Sequence, residues 1–267
     1  MKDRLGLPIF LLFLCLIAAG KDKKPDKGNL PSPAELAAIT LRGRMLEEYD
    51  VAAWHATDVV QDLKPEKGST RYYIARKVET GWVVVFGRLN EAHDKFLTVY
   101  QATQGTQPTY FTVKKYDPPQ ESADFFFFAA RAFDAALKDL GAVNRPYNAY
   151  AIPSEVGQLY VYLLPAQTQD TIYPIGGDVR YTFTADGGTV IEKHPMHKTI
   201  LDIDYGPSAG KGKQTVSGIH THVLSNVPED SDVFHVLTRK PLIPEYIGTM
   251  DKKIWVIQTD GTILLGK

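Results

Sequence analysis

The stretch Ser217-Gly-Ile-His-Thr-His-Val-Leu-Ser-Asn-Val-Pro-Glu-Asp-Ser-Asp-Val-Phe-His235 gathers three of the chain's seven histidines and three of its acidic residues. Imidazole and carboxylate are common zinc ligands. Thr215 to Ile219 reads as a buried strand running into His220, and residues two apart on a strand face the same side. His220 and His222 therefore present both imidazoles together. After the loop Val223 to Pro228, the acids Glu229, Asp230 and Asp232 fall at the start of a helix, where one of them can fold back toward the strand end. Two imidazoles and one carboxylate leave a fourth position open for water, which zinc converts to hydroxide near neutral pH. The competing reading makes the same histidines ordinary polar residues at a strand end. His235, three residues past Asp232, shares its helix face and reads as a ligand's partner or as scaffold.

Other constellations carry less chemistry. Glu192-Lys-His-Pro-Met-His197 places two histidines three apart, but Pro195 between them removes the helical ligand geometry. A loop site or a solvated strand end remains. Gly206-Pro-Ser-Ala-Gly-Lys211 is one residue short of a phosphate loop, and Gly212 stands where a magnesium-binding hydroxyl belongs. His55 and Asp58 sit at i and i+3 on a helix, without any GxSxG-like serine elbow to complete a triad. Tyr147, Tyr150, Tyr160 and Tyr162 alternate on two neighbouring strands, the pattern of half-buried sheet packing or of a ligand groove.

The elements that must position these residues follow from periodicity. Leu36, Ile39, Leu41, Met45, Leu46, Tyr49, Ala53, Val59 and Val60 predict a helix over 34–60. Strands follow at YYIARKV, WVVVFGRL, FLTVYQAT and TYFTVKKY, the last closed by Pro118-Pro119. FFFFAARAFDAALKDL predicts a second helix, capped by Ser122 and stopped at Gly141, with its phenylalanines in the core. Further strands fall at YNAYAI, QLYVYLLP, VRYTFT and GTVIEK, then a short helix over 230–239 and closing strands around Tyr246 and Trp255. The expected fold is α+β, with mostly antiparallel sheets and a few packed helices. A boundary near Pro118 separates a helix-plus-meander unit, 34–117, from an α+β unit, 118–267.

At the N-terminus, Lys2 and Arg4 precede an apolar run from Leu7 to Ala19, closed by small residues. This is the pattern of a secretory signal peptide over 1–20, followed by a charged, proline-containing linker over 21–33. The run falls short of the roughly 20 residues that span a bilayer, so no transmembrane helix is expected in the mature chain. Export, to the periplasm or beyond the cell, is the expected location. Thirty basic residues against 31 acidic ones give no global field to attract nucleic acid. Cys15 is the only cysteine, so the mature chain holds no disulfide and no thiolate zinc site.

The residues VSGIHTH, followed by an acid at a helix start, resemble the core of the JAB/MPN-type (JAMM) zinc metalloproteases. The likeness covers residues 110–267 as an order of elements and about 215–235 as a motif. It implies Zn2+ held by His220, His222 and Asp232, and hydrolysis of an amide or isopeptide bond in a peptide or cell-envelope substrate. Glu155, in PSEVGQLY, is the nearest candidate for the general base that such a reaction needs. The chain departs from the family's pattern at Val223, where a proline is usual, and in an acid that comes one residue early. Glu229 aligns with the family's serine. The alternative is a non-catalytic cell-envelope protein that binds a partner or ligand, with a scaffold role for the histidines.

Overall fold

A computed structural model describes residues 30–206 and 215–266. The segment read as a signal peptide, Cys15, most of the segment read as a linker and the greater part of the phosphate-loop-like segment lie outside them. Helix α1 (Pro33–Gln61) opens with a reciprocal cap. The Glu35 amide donates to Ser32 Oγ at 3.2 Å and the Ser32 amide to Glu35 Oε2 at 2.7 Å, with Pro33 in the first turn. No described helix is long and apolar enough to cross a membrane.

A meander of β1 (Tyr72–Val78), β2 (Gly81–Leu89), β3 (Phe96–Gln104) and β4 (Phe111–Ser122) forms the first antiparallel sheet, in that order. Contrary to expectation, β4 runs through Pro118 and Pro119. It is an edge strand, and its register against β3 shifts between Thr98 and Tyr100, so the prolines occupy an irregularity where no ladder donor is needed. Helix α2 (Phe125–Leu140) is capped by Asp124, whose Oδ1 accepts from the Phe126 amide at 3.2 Å, and not by Ser122.

The second sheet is β5 (Tyr147–Pro153), β6 (Leu159–Pro165), β8 (Val179–Phe183) and β9 (Val190–Pro195), with β7 (Ile172–Ile175) paired instead to β10 (Leu201–Asp204). A third sheet joins β11 (Gly218–Thr221), β12 (Glu245–Gly248), β13 (Ile254–Ile257) and β14 (Ile263–Leu265). Its β11–β12 pair is parallel, and helix α3 (Asp230–Thr238) makes the crossover between them. The remaining pairings among the described strands are antiparallel, and the architecture is α+β.

The core crosses the Pro118 position. Tyr49 and Leu46 of α1 pack with Trp82 and Phe86 of the meander, and with Tyr150, Tyr162 and Phe234 from beyond it. Phe127 and Phe133 of α2 likewise bridge Ile74 and Phe96 to Val161 and Phe183. Helices α1 and α3 touch at Gly43, where an added Cβ would sit 2.4 Å from Val233 Cβ. That close approach brings the start of α3 against the body of the protein, where its acids meet groups from other elements.

Candidate metal centre

Two elements, β11 and α3, and the segments just past β9 and β11 converge on a buried cluster of His197, His220, His222 and Asp232. Strand β11 carries His220, and His222 lies one residue past its end, held by its amide donating to Gly248 O at 2.8 Å. Asp232 is in the first turn of α3, its Oδ2 accepting from the Glu229 amide at 2.6 Å. His197 follows β9. Met196, buried to 1% exposure with its amide donating to Asp178 O at 3.1 Å, draws it inward. The structure thus brings together the three residues picked out in the sequence and adds a fourth.

One ligand atom from each of the four side chains lies within 4.8 Å of the others. His222 Nε2 lies 2.8 Å from His197 Nε2 and 3.1 Å from His220 Nε2. Asp232 Oδ1 is 3.1 Å from both His197 Nε2 and His220 Nε2, and Oδ2 is 3.1 Å from His222 Nε2. Zinc–nitrogen bonds of 2.0–2.1 Å place neighbouring tetrahedral ligands about 3.3 Å apart. A few tenths of an ångström of outward movement would therefore admit such an ion.

The opposite ring nitrogens fix the tautomers. His197 Nδ1 meets Asp178 Oδ1 at 2.7 Å, His220 Nδ1 meets Glu245 Oε1 at 2.8 Å, and His222 Nδ1 meets Val227 O at 2.9 Å. A carbonyl or carboxylate oxygen can only accept, so each Nδ1 carries the proton. Each neutral ring then aims an Nε2 lone pair at the centre. Asp232 Oδ1 is fully buried, and the polar atoms facing it are His197 Nε2 and His220 Nε2. Three lone pairs and a carboxylate oxygen facing one another repel unless positive charge, a metal ion or ring protons, sits among them.

The supporting residues are themselves anchored. Glu245 pairs with the buried Arg239, whose Nη1 also donates to Tyr205 Oη at 2.9 Å and whose Nη2 donates to Ile243 O at 2.7 Å. Gly218 is required here, since a Cβ would fall 1.8 Å from Glu245 Oε2. Next to the cluster, Asp230 accepts from Arg42 Nε and Tyr162 Oη at 2.9 Å, and from Arg180 Nη1 at 2.6 Å.

Protons supply the missing charge in the metal-free protein. Burial opposes charging His197, but Asp178 and Asp232 outweigh it and push it up to about 11. Burial likewise opposes charging His220, and Asp232 and Glu245 lift it to about 9. Burial would raise Asp232, yet the surrounding imidazoles hold it well below the usual carboxylate range. His235 stays outside the cluster, pushed down by burial to about 4.

Glu155 does not join the site. It lies exposed in the β5–β6 hairpin turn, which is closed by the Gly157 amide donating to Ser154 O at 3.1 Å, whereas the cluster is buried. Glu229, aligned with an oxyanion-stabilising serine, instead caps α3 and meets His194 Nε2 at 3.0 Å, which raises that histidine. His197 is the member of the possible metal-binding group that sequence reasoning missed. Its one local signal is a histidine just past a strand, beside the buried Met196. No family model, no curated protein and no solved structure matches this chain.

Proposed function

We propose that this is an exported metal-binding protein in which His197, His220, His222 and Asp232 hold one zinc-class divalent ion as a closed, structural centre. The observation that carries this reading is the fourth ligand. His197 occupies the position that a hydrolase would leave to water, and it is built in from behind by Asp178, whose side chain is fully buried. Four protein ligands and no open position are the pattern of structural zinc, while catalytic zinc keeps three. Nitrogen and oxygen donors in a tetrahedron favour zinc over magnesium or calcium, which take six or more oxygens. When bound, the ion would tie β9, β11 and α3 together.

A second reading retains the JAB/MPN-like hydrolase. It is favoured by the His-x-His strand end followed by an acid in the first turn of a helix, and by the position of His197 on a loop. In it His197 leaves, water takes its place, and an amide or isopeptide bond is cleaved. Among the described residues the nearest acids, Asp178 and Glu245, are already committed to His197 and His220. Cobalt substitution separates the two readings. A closed centre gives the intense visible bands of four-coordinate cobalt, unchanged by excess azide, and His197→Ala makes the spectrum azide-sensitive. An azide response in the parent protein would establish an open position and favour the hydrolase.

A further inference from the structure

Along one face of α3 the residues Asp232, His235 and Thr238 follow at three-residue steps. The first belongs to the metal cluster. The other two line a separate cleft of about 740 Å³, between α1, β5 and the segment after β6. Its volume is that of a small-molecule site. At its edge stands Trp54, 57% exposed, with its indole stacked on His55 at 4.8 Å and 17° between the planes. Tryptophan at such exposure on a helix adds nothing to the core, and the stacked imidazole holds its plane.

The wall beside it is polar and ordered. Tyr150 Oη donates to Asp50 Oδ1 at 2.8 Å, and Asn148 Nδ2 lies 3.5 Å from Tyr150 Oη. His235, 6% exposed, also lines the cleft, and its Nε2 is buried without a partner. The lining carries Asp50 and Asp170 against the single cation Lys240, a balance that repels phosphate and other anions.

A flat exposed indole, beside a row of carboxylate, amide and phenol groups, complements a molecule with one apolar face and a rim of hydroxyls. A pyranose ring is such a molecule. Its C–H face stacks on an aromatic plane, and its hydroxyls donate to carboxylates and exchange bonds with amides. We propose that this cleft binds a neutral saccharide, stacked on Trp54 and hydrogen-bonded by Asp50 and Asn148. The site is independent of the metal centre.

Trp82 and Trp255 are 6% and 2% exposed, so Trp54 is the tryptophan whose emission a ligand in the cleft reaches. Chitotriose, cellotriose and maltotriose are each titrated into the zinc-loaded chain starting at Lys21, with intrinsic fluorescence and calorimetry as readouts. The expected result is a saturable emission change with at least one of them. It should vanish in Trp54→Ala and need at least about tenfold more sugar in Asp50→Asn, with bound zinc unchanged in both. No saturable binding by any of the three, or binding that survives Trp54→Ala, would overturn the proposal.

Discussion

Asp178 does not touch the centre that it serves. Its Oδ1 accepts a hydrogen bond from His197 Nδ1–H at 2.7 Å, which leaves Nε2 as the lone pair of the neutral ring and sets the plane of the ring. Glu245 does the same for His220, and the backbone carbonyl of Val227 does it for His222. An amide in place of either carboxylate keeps the shape but removes the charge that makes the imidazole a strong donor. Asp178→Asn and Glu245→Gln should each weaken zinc binding about 10- to 100-fold, read by competition with a chromophoric chelator. Affinities within about twofold of the parent in both would show that these contacts do not tune the site. At this scale the sequence was partly legible. His220 and His222 are two apart on a strand, and Asp232 stands in a first helical turn, so a local period was enough to group them. His197 lies more than twenty residues upstream, and no period links it to them. The loop that delivers it is placed by contacts such as Ser231 Oγ on Met196 Sδ and Asp178 on His197, and only the tertiary structure supplies those.

Helix α3 is buried from Asp230 to Val236. Its first residue, Asp230, takes donors from Arg42 on α1, Arg180 on β8 and Tyr162 on β6. Asp230 is itself fully buried, while the two arginines keep some exposure. Removing the carboxylate strands two guanidinium groups against each other. Asp230→Ala should therefore cost about 3 kcal/mol in urea unfolding. Glu48→Ala, which breaks the exposed pair with Lys77, should change stability by less than about 1 kcal/mol. Equal effects would mean that the clamp on α3 does not hold the helix start. The sequence marked this helix well, through the acids before an apolar run. It gave no hint that Asp230 and Asp232, two residues apart, serve a clamp and a ligand set respectively. β4 was misjudged for a related reason: prolines end a central strand, but β4 is an edge, and edge position is a property of the sheet.

For the whole molecule, the meander and α1 are not a separate appendage. They share core side chains with the second sheet, and α1 supplies both Arg42 to the clamp on α3 and Trp54 to the cleft. The composition announced apolar material for one large or two small domains and the periodicity a mainly antiparallel α+β fold, but not that two buried clusters would each draw side chains from both sides of Pro118. The metal reading ties β9, β11 and α3 at one buried point, so the ion should be retained by the folded protein and should depend on all four ligands. Zinc content tests this most directly. The chain starting at Lys21, purified without a histidine tag, is loaded with zinc, dialysed exhaustively and measured beside His197→Ala and the His220→Ala/His222→Ala double variant. The account predicts about one zinc per chain in the parent, a marked loss in His197→Ala and none in the double variant. A folded parent that retains no zinc, or a His197→Ala protein that retains as much as the parent, would contradict it.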